Sequence, residues 1–173
     1  MDAQGFTRTH EKDRFAACQR CLKQVLFTLQ QLSKAWKGIL APSTYLAAMG
    51  KLVDGLLSQV LHAIVEGLDD ISEEESEKLA ELVRSLGAVE GLFKEEEGSQ
   101  GAQTVVAIFV PSWFKASYLG EILTGSLVDI EFLYFEADAL VDYGKGEIVK
   151  LIKSLFADTP KRKRLIDKIE TSH

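Results

Sequence analysis

Residues 15–36, FAACQRCLKQVLFTLQQLSKAW, decide the fold class. Phe15, Cys18, Leu22, Val25, Leu29, Leu32 and Trp36 recur at alternating steps of three and four, a heptad seam on one side of a helix. Lys12, Arg14, Arg20, Lys23 and Gln24 take the other sides. Ile39 and Leu40 extend the apolar stripe until Pro42 stops it. A helix from Glu11 to Leu40 would be about 45 Å long at about 1.5 Å per residue, far beyond the usual globular length, and predicts an elongated bundle.

The chain beyond it reads the same way. A second helix opens at Pro42-Ser43, with Leu46, Met49, Val53, Leu56, Val60, Ile64 and Leu68 as its stripe. Gly50 and Gly55 interrupt that helix and predict a closely approaching neighbour. Ser72-Glu73-Glu74-Glu75 predicts a reciprocal capping box for a third helix, with Leu79, Leu82, Val83 and Leu86 inward and Gly87 as its stop. Residues 88–103 carry the run Glu95-Glu96-Glu97 and predict an acidic loop. Thr104 to Val110, TVVAIFV, is β-branched and reads as an extended segment lying along the bundle, a strand only if another segment pairs with it. A fourth helix follows Pro111-Ser112 through Phe114, Tyr118, Ile122, Leu123, Leu127, Ile130 and Leu133. A fifth covers Glu147 to Ala157, and Asp158-Thr159-Pro160 starts a terminal helix with Leu165, Ile166 and Ile169 inward. The expectation is one all-α domain over residues 1–173, an elongated antiparallel bundle of about six helices.

Composition narrows the function. The net charge is −6, which argues against nucleic-acid binding, because phosphate neutralisation needs clustered positive charge. No run of about 18 apolar residues is evident, and the first ten residues lack an apolar signal-peptide core, so neither a transmembrane segment nor a leader is expected. The charge is uneven. Residues 66–103 hold 12 acids and 3 bases, whereas residues 145–173 hold 8 bases and 4 acids.

Catalytic patterns are sparse. Cys18 and Cys21 form C-x-x-C on the heptad seam; a packing role is the simpler reading and a redox or zinc site the alternative, since no second ligand pair accompanies them. His10, His62 and His173 belong to no recognisable nucleophile arrangement, and no P-loop or dinucleotide pattern occurs. The Asp69-Asp70 and Glu73–Glu75 acids suit a helix N-terminus. Trp113 and Phe114 are expected to pin a loop to the core, with exposed anchors as the alternative. No enzyme activity, cofactor or metal is expected. Lys161-Arg162-Lys163-Arg164 is the sharpest charge cluster: a solvated helix face, a nuclear-import signal, an anionic-lipid contact or a docking site for an acidic partner.

Four stretches resemble the C-terminal domain of the zeste-white ten family, which includes the centromere/kinetochore protein and its yeast Dsl-type vesicle-tethering relative. They are LQQLSKAWKGILAPSTYLAAMGKLVDGLLSQV (29–60), EGLDDISEEESEKL (66–79), VPSWFKASYLGEIL (110–123) and EIVKLIKSLFADTPKRKRLIDKIE (147–170), in the family's order. The resemblance implies a C-terminal portion of a longer tethering subunit, built as a helical rod. It implies a role at the endoplasmic reticulum membrane in retrograde traffic from the Golgi, with SNAREs and other tethering subunits as indirect partners, and a kinetochore role in mitosis. It also implies a direct partner, a large α-solenoid subunit of the NAG/Rod type. Charge asymmetry then singles out Lys161, Arg162, Arg164 and Lys168 as candidate partner-binding residues, with charge reversal at Arg162 and Arg164 expected to weaken binding without unfolding. A peripheral membrane module working through the same basic end is the alternative.

Overall fold

The heptad seam at residues 15–36 becomes α1 (Lys12–Lys37) in the computed structural model, which describes residues 5–94 and 102–172. At about 1.5 Å per residue its 26 residues span about 39 Å. Gly38 to Ala41 turn the chain into α2 (Pro42–Val65). α2 is the central helix: Met49, Val53 and Ile64 are wholly buried, and α1, α4 (Ala102–Phe109), α5 (Trp113–Thr124) and α7 (Lys145–Leu155) all pack on it. By length and composition α2 is apolar enough to cross a bilayer, contrary to the expectation that no such run exists. Its apolar side chains are those that close the bundle core.

α3 (Glu73–Ser85) passes directly into a 3-10 helix (Leu86–Phe93) rather than stopping at Gly87. The 3-10 helix buries Leu86, Val89, Leu92 and Phe93, so residues 88–93 are structured and not the loop expected there. Residues 95–101, with the acidic run, lie outside the described residues. Ser72 caps α3 by accepting from the Glu75 N–H at 3.2 Å. Glu75 does not complete the expected box. Its carboxylate is buried and accepts from the Thr9 N–H at 3.0 Å, fastening the approach to α1 onto the start of α3. At the far end the Tyr45 hydroxyl lies 2.6 Å from both Ser33 Oγ and the Leu92 carbonyl. These contacts place α1 parallel to α3 and the 3-10 helix, with α2 antiparallel to both.

The segment expected to be extended is α4 (Ala102–Phe109). Val106 and Val110 are buried while Ile108 between them is 68% exposed; an alternating strand would put all three on one face, whereas a helix turns Ile108 away from the other two. α4 crosses α2 at Gly50, where an added Cβ would lie 2.5 Å from the Phe109 carbonyl oxygen. This is the close approach the sequence implied. Gly55, read the same way, faces open space. Ser112 then anchors to Asp54 of α2, its N–H donating at 2.9 Å and its hydroxyl at 2.6 Å.

The expected fourth helix is two. α5 (Trp113–Thr124) ends at Gly125, and α6 (Leu127–Phe135) begins after Ser126. A side chain at Gly125 would meet the Glu121 carbonyl at 2.8 Å, and Ser126 and Asp129 form a complete reciprocal cap. α5 packs lengthwise on α3, tied at one end by Arg84 to Thr124 (2.8 Å). Trp113 is buried as an anchor, while Phe114 is 50% exposed.

α7 (Lys145–Leu155) buries Ile148, Leu151 and Ile152. Its start is held to α5 by Lys115, which reaches both Glu147 carboxylate oxygens at 2.7 Å, and by the Tyr143 hydroxyl, which donates to the Lys115 carbonyl at 2.7 Å. α8 (Pro160–Thr171) runs back along α7, capped by Thr159, whose hydroxyl accepts from the Arg162 N–H. The described residues thus form eight α-helices and one 3-10 helix, with no strand, in a bundle that mixes parallel and antiparallel neighbours. The all-α expectation holds, with more helices than the six counted from periodicity.

Candidate partner-binding surface

The four bases at the start of α8 cannot share a face, because successive residues point about 100° apart. Leu165, Ile166 and Ile169 are buried and fix the core side. Lys161, Arg164 and Lys168, spaced three and four apart, fall on one outer stripe. Arg162 falls on the core side, and its side chain is 16% exposed.

Arg162 is committed to the fold. Its guanidinium donates to the carbonyls of Phe156 (2.6 Å) and Lys153 (3.3 Å), satisfying the open C-terminal end of α7. It also pairs with Asp158 at 2.8 Å. Hydrogen bonds from Arg162 and then Lys163 hold the Asp158 carboxyl below the usual carboxylate range. Charge reversal at Arg162 therefore acts on stability, and the expectation that it would spare folding is corrected by these contacts.

Lys168 lies on the outer stripe but is also engaged. It meets Glu131 of α6 at 2.6 Å, and its ammonium stands 4.3 Å from the Phe135 ring centroid. Neither partner was evident from sequence, since Glu131 and Phe135 lie 37 and 33 residues before Lys168 in the chain. Lys161 and Arg164 are exposed and form no ion pair among the described residues. Lys163 is exposed and pairs with Asp158 at 3.3 Å.

The other candidates resolve differently. Cys18 lies at a small cavity of about 50 Å³ with Gly5, Arg14 and Cys21 on its wall. Burial raises the Cys18 thiol above its ordinary pKa, against a smaller lowering by Arg14, so the thiolate needed for redox or metal chemistry is disfavoured. Its Sγ is 3.7 Å from the Gly5 carbonyl. Among the described residues no group of three or more His, Cys, Asp and Glu side chains is placed to hold a metal ion. His10 approaches the buried Glu75 at 3.8 Å, and His62 is exposed on α2.

An all-helical domain with a basic outer stripe is compatible with many scaffolds; the comparison with known proteins separates them. Residues 20–169 match the family described as the ZW10 C-terminal helical domain. The chain belongs to this family. The matched span begins within α1 and ends within α8, so it takes in α2 to α7 whole together with most of α1 and α8. The chain is 25% identical over 174 residues to the centromere/kinetochore protein zw10 homolog of Rattus norvegicus, covering 97% of this chain and 22% of that protein. The Arabidopsis thaliana homolog gives the same identity, with 97% of this chain and 23% of the relative covered. The Drosophila melanogaster centromere/kinetochore protein zw10 is 27% identical over 153 residues, 87% of this chain and 20% of its own length. The ZW10 domain seen here thus spans about a fifth of the length of these relatives.

Proposed function

We propose that this chain is a non-catalytic interaction scaffold, the C-terminal module of a multisubunit vesicle-tethering complex in Golgi-to-ER retrograde transport, acting at the endoplasmic reticulum membrane. In this reading it docks a large α-solenoid subunit of the NAG/Rod type and is linked through other tethering subunits to SNAREs. The observation that carries the proposal is membership of the ZW10 C-terminal helical domain family along nearly the whole chain. The geometry is consistent with it: the helices are cross-tied by polar contacts such as the buried Tyr45–Leu92 and the part-buried Ser112–Asp54, which suits a rigid surface presented to another protein.

The docking residues of choice are Lys161 and Arg164, which are free on the outer stripe, with Lys168 beside them and Arg162 supporting the helix from beneath. A standard interface buries roughly 1,600 Å² in total, and its charged rim governs encounter more than residence. The test is surface plasmon resonance of this chain against a purified NAG/Rod-type solenoid subunit, with a Lys161→Glu/Arg164→Glu double variant. The proposal expects specific binding, a slower on-rate for the variant and an unchanged melting temperature. No binding to the solenoid subunit refutes the partner; unchanged kinetics in the variant remove these residues from the interface.

The relatives named above all carry the centromere/kinetochore designation, which favours a second reading in which the same scaffold serves the kinetochore. Recruitment of a fluorescent fusion to kinetochores in mitotic cells, compared with its interphase reticular distribution, separates the two.

A further inference from the structure

We infer that the outer face of α6 is a docking site for a basic amphipathic helix of a partner protein. This inference does not depend on the reading of the basic end of α8.

α6 is apolar in composition (LVDIEFLYF), yet Ile130 is its only fully buried residue. At about 100° per residue, the direction opposite Ile130 falls between Val128 and Phe132. Those two side chains are 69% and 53% exposed, whereas Ile130 is 0% exposed. A second apolar stripe thus points away from the core, opposite the inward side formed by Leu127, Ile130, Leu133 and Tyr134. Phe135 borders the stripe on one side with Glu131, and Asp129 and Glu136 border it on the other.

The charge around the stripe specifies the occupant. Residues 121–142 contain six acids (Glu121, Asp129, Glu131, Glu136, Asp138, Asp142) and no base; Glu121 is paired with Arg84 and Glu131 with Lys168. Glu136, Asp138 and Asp142 have no ion-pair partner among the described residues. An anionic membrane surface would be repelled. A twofold contact with a second copy would set Asp129, Glu131 and Glu136 against their own images. Two exposed side chains also fall well short of the roughly 800 Å² per partner of a stable apolar interface, so charge must contribute. A helix carrying an apolar ridge flanked by Lys or Arg meets all three conditions.

The fold already contains one example of this pairing. α8 is itself a basic helix, and it packs on the Glu131 flank of α6 with Lys168 on the Glu131 carboxylate and over the Phe135 ring. The opposite flank, Val128, Phe132 and Glu136, has the same chemistry and no such helix.

The test uses the 173-residue chain and two synthetic peptides of identical Lys/Leu composition. One places leucines at i, i+4, i+7 and i+11 on one face; the other scatters them. Fluorescence anisotropy should show the ordered peptide binding at least tenfold more tightly than the scattered one. Val128→Ser/Phe132→Ser should remove at least tenfold of that affinity with an unchanged circular-dichroism melt, and Glu136→Gln should weaken it several-fold and flatten its salt dependence. Equal affinity for the two peptides, or binding indifferent to the Val128/Phe132 variant, overturns the proposal. So does sedimentation showing self-association of the chain alone that Phe132→Ser abolishes, which assigns the face to a second copy. Flotation with neutral phosphatidylcholine vesicles, lost in the same variant, assigns it to a membrane and overturns it too.

Discussion

Gly50 and Gly55 offer a paired test of how the core is closed. Both lie inside α2, and helix propensity alone makes each alanine substitution favourable by about 0.8–1.0 kcal/mol. Their surroundings differ. At Gly55 an added Cβ meets nothing within 4 Å, so the propensity gain should appear in full. At Gly50 it would lie 2.5 Å from the Phe109 carbonyl oxygen and 2.8 Å from the Phe109 Cβ. Neither atom can rotate away. Phe109 ends α4, whose neighbours Val106 and Val110 are wholly buried and whose exit is pinned by the Ser112–Asp54 contacts. Forcing α4 off α2 carries an overpacking cost of about 1–3 kcal/mol. Gly50→Ala should therefore be destabilised by about 1 kcal/mol net, and Gly55→Ala stabilised by about 1 kcal/mol. For a chain of this size each kcal/mol moves Tm by about 2–4 °C, so the two variants should separate by roughly 4–8 °C in opposite directions. Urea melts should show the same order with unchanged slope. A Gly50→Ala protein as stable as Gly55→Ala would refute the close crossing of α4 over α2.

Tyr45→Phe removes a buried hydroxyl that serves both Ser33 and the Leu92 carbonyl, and should cost about 1–3 kcal/mol in chemical denaturation, whereas Tyr118→Phe should cost under about 0.5 kcal/mol. Burial, then Glu147 and Asp142, raise the Tyr143 pKa far above its ordinary value, so the folded state holds the neutral phenol. Stability from this group is complete below about pH 10 and falls as pH rises beyond it; Tyr143→Phe should flatten the alkaline decline in Tm. Arg162→Gln should lower stability by about 2 kcal/mol through the freed α7 carbonyls, measured by calorimetry, while Lys161→Gln should stay within about 0.5 kcal/mol. With its pKa raised by burial, Cys18 should react with a maleimide more slowly than an unfolded-chain thiol at neutral pH, followed by mass spectrometry, and the difference should vanish in denaturant.

The fold was legible wherever an element carried both a period and a terminal signal. α1 showed its seam, α3 its Ser72 cap, and α8 its Thr159-Pro160 start; each begins within a residue or two of where the sequence places it. The failures have physical causes. TVVAIFV is apolar at nearly every position, so no period distinguishes helix from strand, and β-branching favours the wrong one. Burial of Val106 and Val110 with Ile108 exposed between them is the helical pattern that decided the matter. The division between α5 and α6 was readable in principle: Ser126-Leu127-Val128-Asp129 is a capping signal directly after a glycine. It was masked by an apolar pattern that continues in phase through Leu127, Ile130 and Leu133.

The basic cluster shows why site residues were harder to read than helices. A run of four bases looks like one feature in a linear chain, but helical geometry divides it by direction. Arg162 is turned inward, where it closes the end of α7 and draws Asp158 toward itself, while Lys161 and Arg164 remain outside. Lys168 joins them only through the periodicity of α8, and its charge is already shared with Glu131 and Phe135. Charge counting cannot separate a cation that stabilises the domain from one available to a partner, because the distinction lies in which acceptors the neighbouring helices bring within reach. The same reasoning applies in reverse to α6. Its composition suggests a core helix, yet only Ile130 is fully buried, with Leu127, Leu133 and Tyr134 packed partly against the core, and the exposed Val128–Phe132 stripe appears only after the break at Gly125 sets the helix direction. Surfaces on this domain are therefore properties of helix placement, and substitutions aimed at binding must be chosen from the outer stripes of α8 and α6 rather than from the charge or hydropathy of the linear sequence.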